Sequence, residues 1–248
     1  MKSVVVITPT TGAPELEECV RSVLDQDYPN VEHLIVVDGI EHEKAVRELL
    51  WRLESDAPVH ILVLPWNTGQ DKWYGGRVMA AASYIVNQDY VMFLDQDNMI
   101  APNHVSSLVR VIETGGYDWA YSLRKIYSKD GEFICEDDCE SLGWWPIGGE
   151  KALGYLIDTS AYFFKNDFAR ATGHFWNWGW GGDRRYLELV MNSMGHENFA
   201  CSGLSTLHYR LGGNDGSVKA EMFEEGNRQV HLKYGDKPLP WRELDEES

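Results

Sequence analysis

The chain has 248 residues, enough for one large α/β body and too few for several independent domains. Hydrophobic residues make up 44% and charged residues 25%, which excludes the disordered, collagenous and membrane-embedded classes. Acids number 39 and bases 22, a net charge of −17 that disfavours a nucleic-acid partner and leaves room for a divalent cation on carboxylates.

Residues 3–8 are a continuous β-branched run stopped by Pro9, which predicts a buried strand. Leu16, Cys19, Val20, Val23 and Leu24 recur at helical spacing over 15–25, and Tyr28-Pro29-Asn30 ends that helix. A second strand is expected over 31–37, running into Asp38-Gly39, then a helix over 43–53. A third strand over 59–64 stops at Pro65, and an Ala- and Met-rich helix is expected over 71–87. A fourth strand over 90–94 runs into Asp95-Gln96-Asp97-Asn98, followed by a helix over 102–113. This alternation predicts an α/β fold, a mostly parallel sheet with helices on both faces.

The pattern changes near Tyr117. Strands are expected over 119–127 and 132–135, with Lys129-Asp130-Gly131 as the hairpin turn. Acidic Glu136-Asp137-Asp138 and Glu140, then Trp144-Trp145-Pro146 and Gly148-Gly149, read as an irregular surface loop that helps to shape a binding site. A strand is expected over 156–164 and a helix over 184–194. Gly212-Gly213-Asn214-Asp215-Gly216 reads as a flexible loop, and 243–248 as a frayed acidic end. The expected organisation is a nucleotide-binding half, 1–116, and an acceptor-binding half, 117–248, in one compact body. Cys19, Cys135, Cys139 and Cys201 contain no C-x-x-C pair, so free thiols in a reducing cytoplasm are expected, although the spacing of Cys135 and Cys139 permits a local disulfide. The apolar run 4–7 is too short for a signal peptide, and no stretch of 18 apolar residues offers a membrane span.

Parallel α/β sheets place ligands at the carboxyl ends of their strands. Thr8-Pro9-Thr10-Thr11, Asp38-Gly39 and Asp95-Gln96-Asp97 all fall at such ends. Two carboxylates leaving the buried run Val91-Met92-Phe93-Leu94 repel each other, and a hard divalent cation, Mn2+ or Mg2+, completed by a diphosphate, relieves that repulsion. The other reading is that Asp97 or Asn98 caps the helix near Pro102. No G-x-G-x-x-G follows the first strand, and neither G-x-x-x-x-G-K-[ST] nor G-x-S-x-G occurs, which weakens dehydrogenase, P-loop and hydrolase readings.

In order and spacing, Val4-Val5-Val6-Ile7-Thr8-Pro9-Thr10, the stretch from Cys19 to Asn30, Ile35-Val36-Val37-Asp38-Gly39, Asn67-Thr68-Gly69 and Phe93-Leu94-Asp95-Gln96-Asp97-Asn98 resemble the glycosyltransferase family 2 domain, a GT-A fold. The resemblance implies that Pro9, Thr10 and Asn67 lie beside the nucleotide and that Asp38 bonds a uracil-type base. It implies Asp95 near ribose and metal, and Asp97 on the metal itself. Phe175-Trp176-Asn177-Trp178-Gly179-Trp180-Gly181-Gly182-Asp183 resembles the W-G-W-G-G-E-D segment of β-1,4-galactosyltransferases and the W-G-G-E segment of polypeptide N-acetylgalactosaminyltransferases, with Arg184 where the former has its second acid. That likeness implies that Trp180, Gly181 and Gly182 meet sugars and that Asp183 is the general base or a sugar ligand; Gly-rich turn with a helix-capping Asp183 is the plain alternative. It also implies His208 as a further metal ligand. Arg210 is a candidate for bidentate diphosphate binding, and Asp158 for a sugar contact. Lys72, Tyr74 and Arg77 are candidates for donor phosphate or sugar, or else a solvated helix face.

The expected activity is metal-dependent transfer of a sugar from a UDP-linked donor to an acceptor hydroxyl. The acceptor stays open among glycan, small molecule and protein, with nucleic acid disfavoured by charge. A nucleotidyltransferase acting on a sugar phosphate and a non-catalytic carbohydrate-binding module are the rivals. The first wants a basic N-terminal loop where Thr10-Thr11-Gly12-Ala13 offers none, and the second leaves Asp38, Asp95 and Asp97 unused.

Overall fold

The N-terminal apolar run forms β1 (Val4–Thr10), buried along its whole length. It extends two residues past the prediction because its polar end is bonded inside: Thr8 Oγ1 shares a hydrogen bond of 2.8 Å with His33 Nε2, and Thr10 Oγ1 donates to Gln96 Oε1 at 2.6 Å. The structure is a computed structural model that describes residues 1–53, 58–143, 145, 155–195, 197–212 and 218–242. Trp144, Pro146, Gly148, Gly149, Gly213 to Gly216 and the acidic end 243–248 lie outside the described residues.

Strands β2 (Val31–Val37), β3 (Val59–Val63) and β4 (Tyr90–Phe93) join β1 in the order β3-β2-β1-β4, every pair parallel. The crossovers are α1 (Leu16–Leu24), α2 (Glu43–Trp51) and α3 (Gly76–Ala82), with α4 (His104–Gly115) after β4. Leu16 and Val20 of α1 and Val46 of α2 share a core with Ile35 and Val37. Val78 and Met79 of α3 and Val105, Leu108 and Ile112 of α4 share a larger one with β1 and β4.

Beyond β4 the sheet becomes mixed. It runs on as β4-β8-β6-β9-β5, where β5 is Met99–Ile100, β6 Trp119–Tyr127, β8 Tyr162–Lys165 and β9 Phe199–Arg210, while β7 (Phe133–Glu136) pairs β6 at the Gly131 hairpin. β6 and β9 are parallel, whereas β8 is antiparallel to both its neighbours and β5 to β9. The remaining helices are α5 (Asn166–Thr172), α6 (Gly182–Met194) and α7 (Ala220–Tyr234). The result is an α/β fold whose two sequence halves share one sheet. Trp176 lies 3.7 Å from Tyr186 in a stacked pair, and Trp119 stacks on Phe199 at 4.2 Å, so much of the aromatic content is core.

Three expectations change, and the expectation of free thiols holds. The helix predicted over 71–87 is regular only as α3, because Asp71, Lys72 and Tyr74 adopt left-handed backbone (φ 57, 66 and 48°). The strand predicted over 156–164 begins at Tyr162, because the Asp158 side chain accepts from Ser160 N at 2.9 Å and turns Thr159–Ala161 into a 3-10 helix. The acidic patch is no surface loop: Asp137, Asp138 and Glu140 are buried. Cys135 and Cys139 are free thiols, like Cys19 and Cys201. Among the described residues no helix is long and apolar enough to cross a membrane.

Candidate active site

The carboxyl ends of β1, β2 and β4 open onto a cleft of about 360 Å³ lined by Pro9, Thr10, Asp38, Asn67, Asp95 and Asp97, with Gln96, Tyr209 and Arg210. A second cavity of about 550 Å³ adjoins it and shares Tyr74, Gly75, Asp95 and Tyr209. It is lined by Asp158, Asp183 and the segment from Trp176 to Gly182. Residues predicted from two distant motifs thus meet across Asp95.

The first cleft is built by side chains that clamp loops. Asp38 accepts from Thr68 N at 2.7 Å and from Gly69 N at 2.8 Å, so its carboxylate holds the Asn67-Thr68-Gly69 turn in place while facing the cleft. Gly69 is required there, since a Cβ would lie 2.5 Å from the Tyr74 carbonyl oxygen. Gln96 Oε1 accepts from Thr10 Oγ1, Thr11 N and Ala13 N, tying the acidic loop to the end of β1. Asn98 caps no helix: its Nδ2 donates to Ser160 Oγ at 3.2 Å and its Oδ1 accepts from Arg210 N at 3.1 Å.

Burial, then the neighbouring Asp97 and Asp158, pushes Asp95 well above the usual carboxylate range. Burial, reinforced by Asp158 and Glu15 and opposed by Arg210, pushes Asp97 up to about 6. Two destabilised carboxylates offering hard oxygens fit a magnesium- or manganese-type ion that takes its other ligands from a phosphate. Among the described residues no three acidic, histidine or cysteine side chains form a complete cage. His208 is not brought to the cleft. Successive strand side chains alternate, so with Tyr209 turned to the cleft the His208 ring packs on Tyr127, 4.9 Å away. Arg77 is also outside both cavities, stacked on Trp73 at 3.8 Å and donating to the Thr68 carbonyl. Arg210 is in the cleft, anchored by Glu18 and by the Lys129 carbonyl.

In the second cavity Gly181 takes the left-handed backbone (φ 76°) that starts α6. Asp183 follows in the first turn, with Oδ1 accepting from Arg184 N at 2.8 Å. Burial, with Asp158 adding and Arg124 and Arg184 opposing, pushes its carboxyl up to about 6. Trp180 is exposed beside it. Asp158 is part of a network that sequence reading missed. The buried Arg124 guanidinium reaches Asp137 at 2.7 Å, Glu140 at 2.5 Å and Asp158 at 2.6 Å, and lies 4.4 Å from the Tyr209 ring. Its only sequence signal was an arginine inside a largely apolar strand, followed by an acidic patch.

The model of the family "Glycosyl transferase family 2" matches residues 3–169, which stops short of the Trp176 to Asp183 segment. No curated protein matches the chain in sequence. Among solved structures, residues 1–349 of S. aureus TarS match with a TM-score of 0.60 at 14% identity, over 96% of this chain and 67% of that one. The same protein in complex with UDP-GlcNAc gives 0.63 at 13% identity over 97% and 68%, and with UDP 0.61 at 15% over 96% and 67%. At such identities the likeness is one of fold.

Proposed function

The chain belongs to glycosyl transferase family 2 and is a glycosyltransferase; we propose that it moves a sugar from a UDP-linked donor to an acceptor hydroxyl, with Asp183 as general base. The observation that carries this reading is the shared wall: Asp95 lines both the strand-end cleft and the cavity that holds Asp183. TarS has been solved with UDP and with UDP-GlcNAc, which supports a uridine nucleotide in the corresponding cleft here.

In this reading the nucleotide lies against Pro9, Thr10 and the Asp38-held turn, and the diphosphate points toward Asp97 and Arg210. Asp95 and Asp97 would hold Mn2+ or Mg2+, which supplies positive charge at the leaving diphosphate. Arg210 adds a fixed guanidinium in the same cleft. Asp183 removes the acceptor hydroxyl proton as that oxygen attacks the anomeric carbon and the bond to the diphosphate breaks. A carboxylate pushed to about 6 is ionised at neutral pH and basic enough for the task.

Calorimetry with UDP tests the donor cleft. UDP binding is expected to strengthen at least tenfold on adding Mn2+ to the wild type, and Asp97→Ala is expected to remove that gain. Wild-type protein that binds no UDP, with or without Mn2+, would refute the assignment.

A further inference from the structure

The charge and the rim of the second cavity narrow its occupant. The described lining carries four carboxylates, Asp95, Glu140, Asp158 and Asp183, against two guanidiniums, Arg124 and Arg184. Both guanidiniums are already engaged: Arg124 by three carboxylates within 2.7 Å, and Arg184 with Glu140 at 3.5 Å. With Asp95 reserved for the donor's cation, a phosphate entering this cavity still meets Glu140, Asp158 and Asp183, carboxylates of its own sign, in a medium poorer than water at screening them.

The rim has a different character. Trp180 is 71% exposed, Trp178 47% and Tyr74 44%. Tyr74 is held there in left-handed backbone, a conformation a non-glycine residue keeps only when its surroundings impose it. Exposed rings over buried hydrogen-bond acceptors suit a ligand with apolar C–H faces and hydroxyl donors. Resting on the donor reading above, we infer that the acceptor is an uncharged saccharide and that phosphate-bearing acceptors are rejected.

The test measures UDP release from UDP-GlcNAc and UDP-glucose in the presence of Mn2+. Each acceptor is offered in matched forms: glucose and glucose 6-phosphate, N-acetylglucosamine and its 6-phosphate, and the neutral disaccharides lactose and cellobiose. At least one neutral saccharide should raise UDP release above slow hydrolysis, at least tenfold more than its phosphorylated partner. Trp180→Ala should cut that stimulation at least tenfold, with UDP calorimetry reporting that the variant is folded. A phosphorylated acceptor that works as well as its neutral partner overturns the inference, and so does a neutral panel that stimulates nothing. If the wild type binds UDP in either case, the acceptor inference alone has failed; if it binds no UDP, the donor reading has failed first.

Discussion

A side chain that strips a proton from a hydroxyl must be ionised at the working pH yet basic enough to keep the proton, and Asp183, pushed up to about 6, meets both conditions. Asp183→Asn keeps the shape and the bond from Arg184 N but cannot accept the proton. Transfer should fall by about 10²–10⁴-fold with UDP affinity within twofold, measured by steady-state kinetics and calorimetry. Turnover at saturating donor and Mn2+ should rise with pH through about 6 in the wild type, and the residual rate of the Asn variant should lose that limb. A variant that keeps the same limb assigns it to another group. Asp38 is a second case of one side chain with two duties. Asp38→Ala leaves the half-buried Thr68 amide without its acceptor and Gly69 N with Asn67 Oδ1 alone, which loosens the turn, so UDP affinity should drop about tenfold, on the ~1–3 kcal/mol cost of leaving a donor unpaired. Calorimetry on the folded variant checks this, and unchanged affinity would mean the turn is held by other contacts. Asp38 and Asp97 were legible in sequence because each closes an apolar strand, and Asp183 because it closes the Trp- and Gly-rich segment. Their partners were not, because Ser160 lies 65 positions from Asp95, Arg124 34 from Asp158 and Arg210 112 from Asn98, distances at which sequence spacing carries no information.

Elements divide along the same line. Strands β1 to β4 read clearly because each is a local apolar run closed by proline, aspartate or glycine. The long β9 was invisible: Ser202, Gly203, Ser205 and Thr206 look like a loop, and the register with β6 shifts twice near the left-handed Gly203. Its stability comes from pairing with β6 and β5, which no window of sequence reports. Helix α7 was missed because polar and charged residues dominate it and only Phe223 and Val230 are buried. Helix α3 shows how an element sets the site. A Cβ on Gly76 would stand 2.3 Å from the Trp178 carbonyl oxygen and 2.8 Å from that of Trp176, so the start of α3 is pressed against the Trp-rich segment. Gly76→Ala has a helical backbone that suits alanine, so its whole effect is that collision. It should cost about 1–3 kcal/mol by overpacking. Displacement of Trp178 should raise the acceptor KM severalfold while UDP affinity stays within twofold. Equal losses of donor and acceptor binding would show that the strain spreads to the first cleft.

At the scale of the whole molecule a buried charge cluster in the second half is wired to the first half through one serine. Arg124 on β6 collects Asp137, Glu140 and Asp158, and Asp158 accepts from Ser160 N while Ser160 Oγ accepts from Asp95 N. Burial alone would raise Asp137, but Arg124 and the amides of Ser141 and Cys139 outweigh it and hold the carboxyl below its usual value. A depressed carboxyl stabilises the fold above its unfolded pKa, and that contribution is lost as pH falls through the folded value. Asp97 and Asp183 have the opposite sign: raised to about 6, they keep their proton in the folded state where the unfolded chain has lost it, so their contribution declines as pH rises from about 4 to 6. Arg124→Met converts the first kind of group into the second, leaving buried Asp137 and Asp158 without their cation and Glu140 with Arg184 alone. The loss should be about 3–5 kcal/mol near neutrality, the cost of breaking a buried pair on one side. For a chain of this size that is a fall in Tm of roughly 10 °C. Because the orphaned carboxylates regain neutrality by taking up protons, the gap between variant and wild type should narrow markedly in melts at pH 5 compared with pH 8. Parallel losses at both values would mean that Arg124 acts through packing against Tyr209 and Phe223, whose rings it covers, and not through charge.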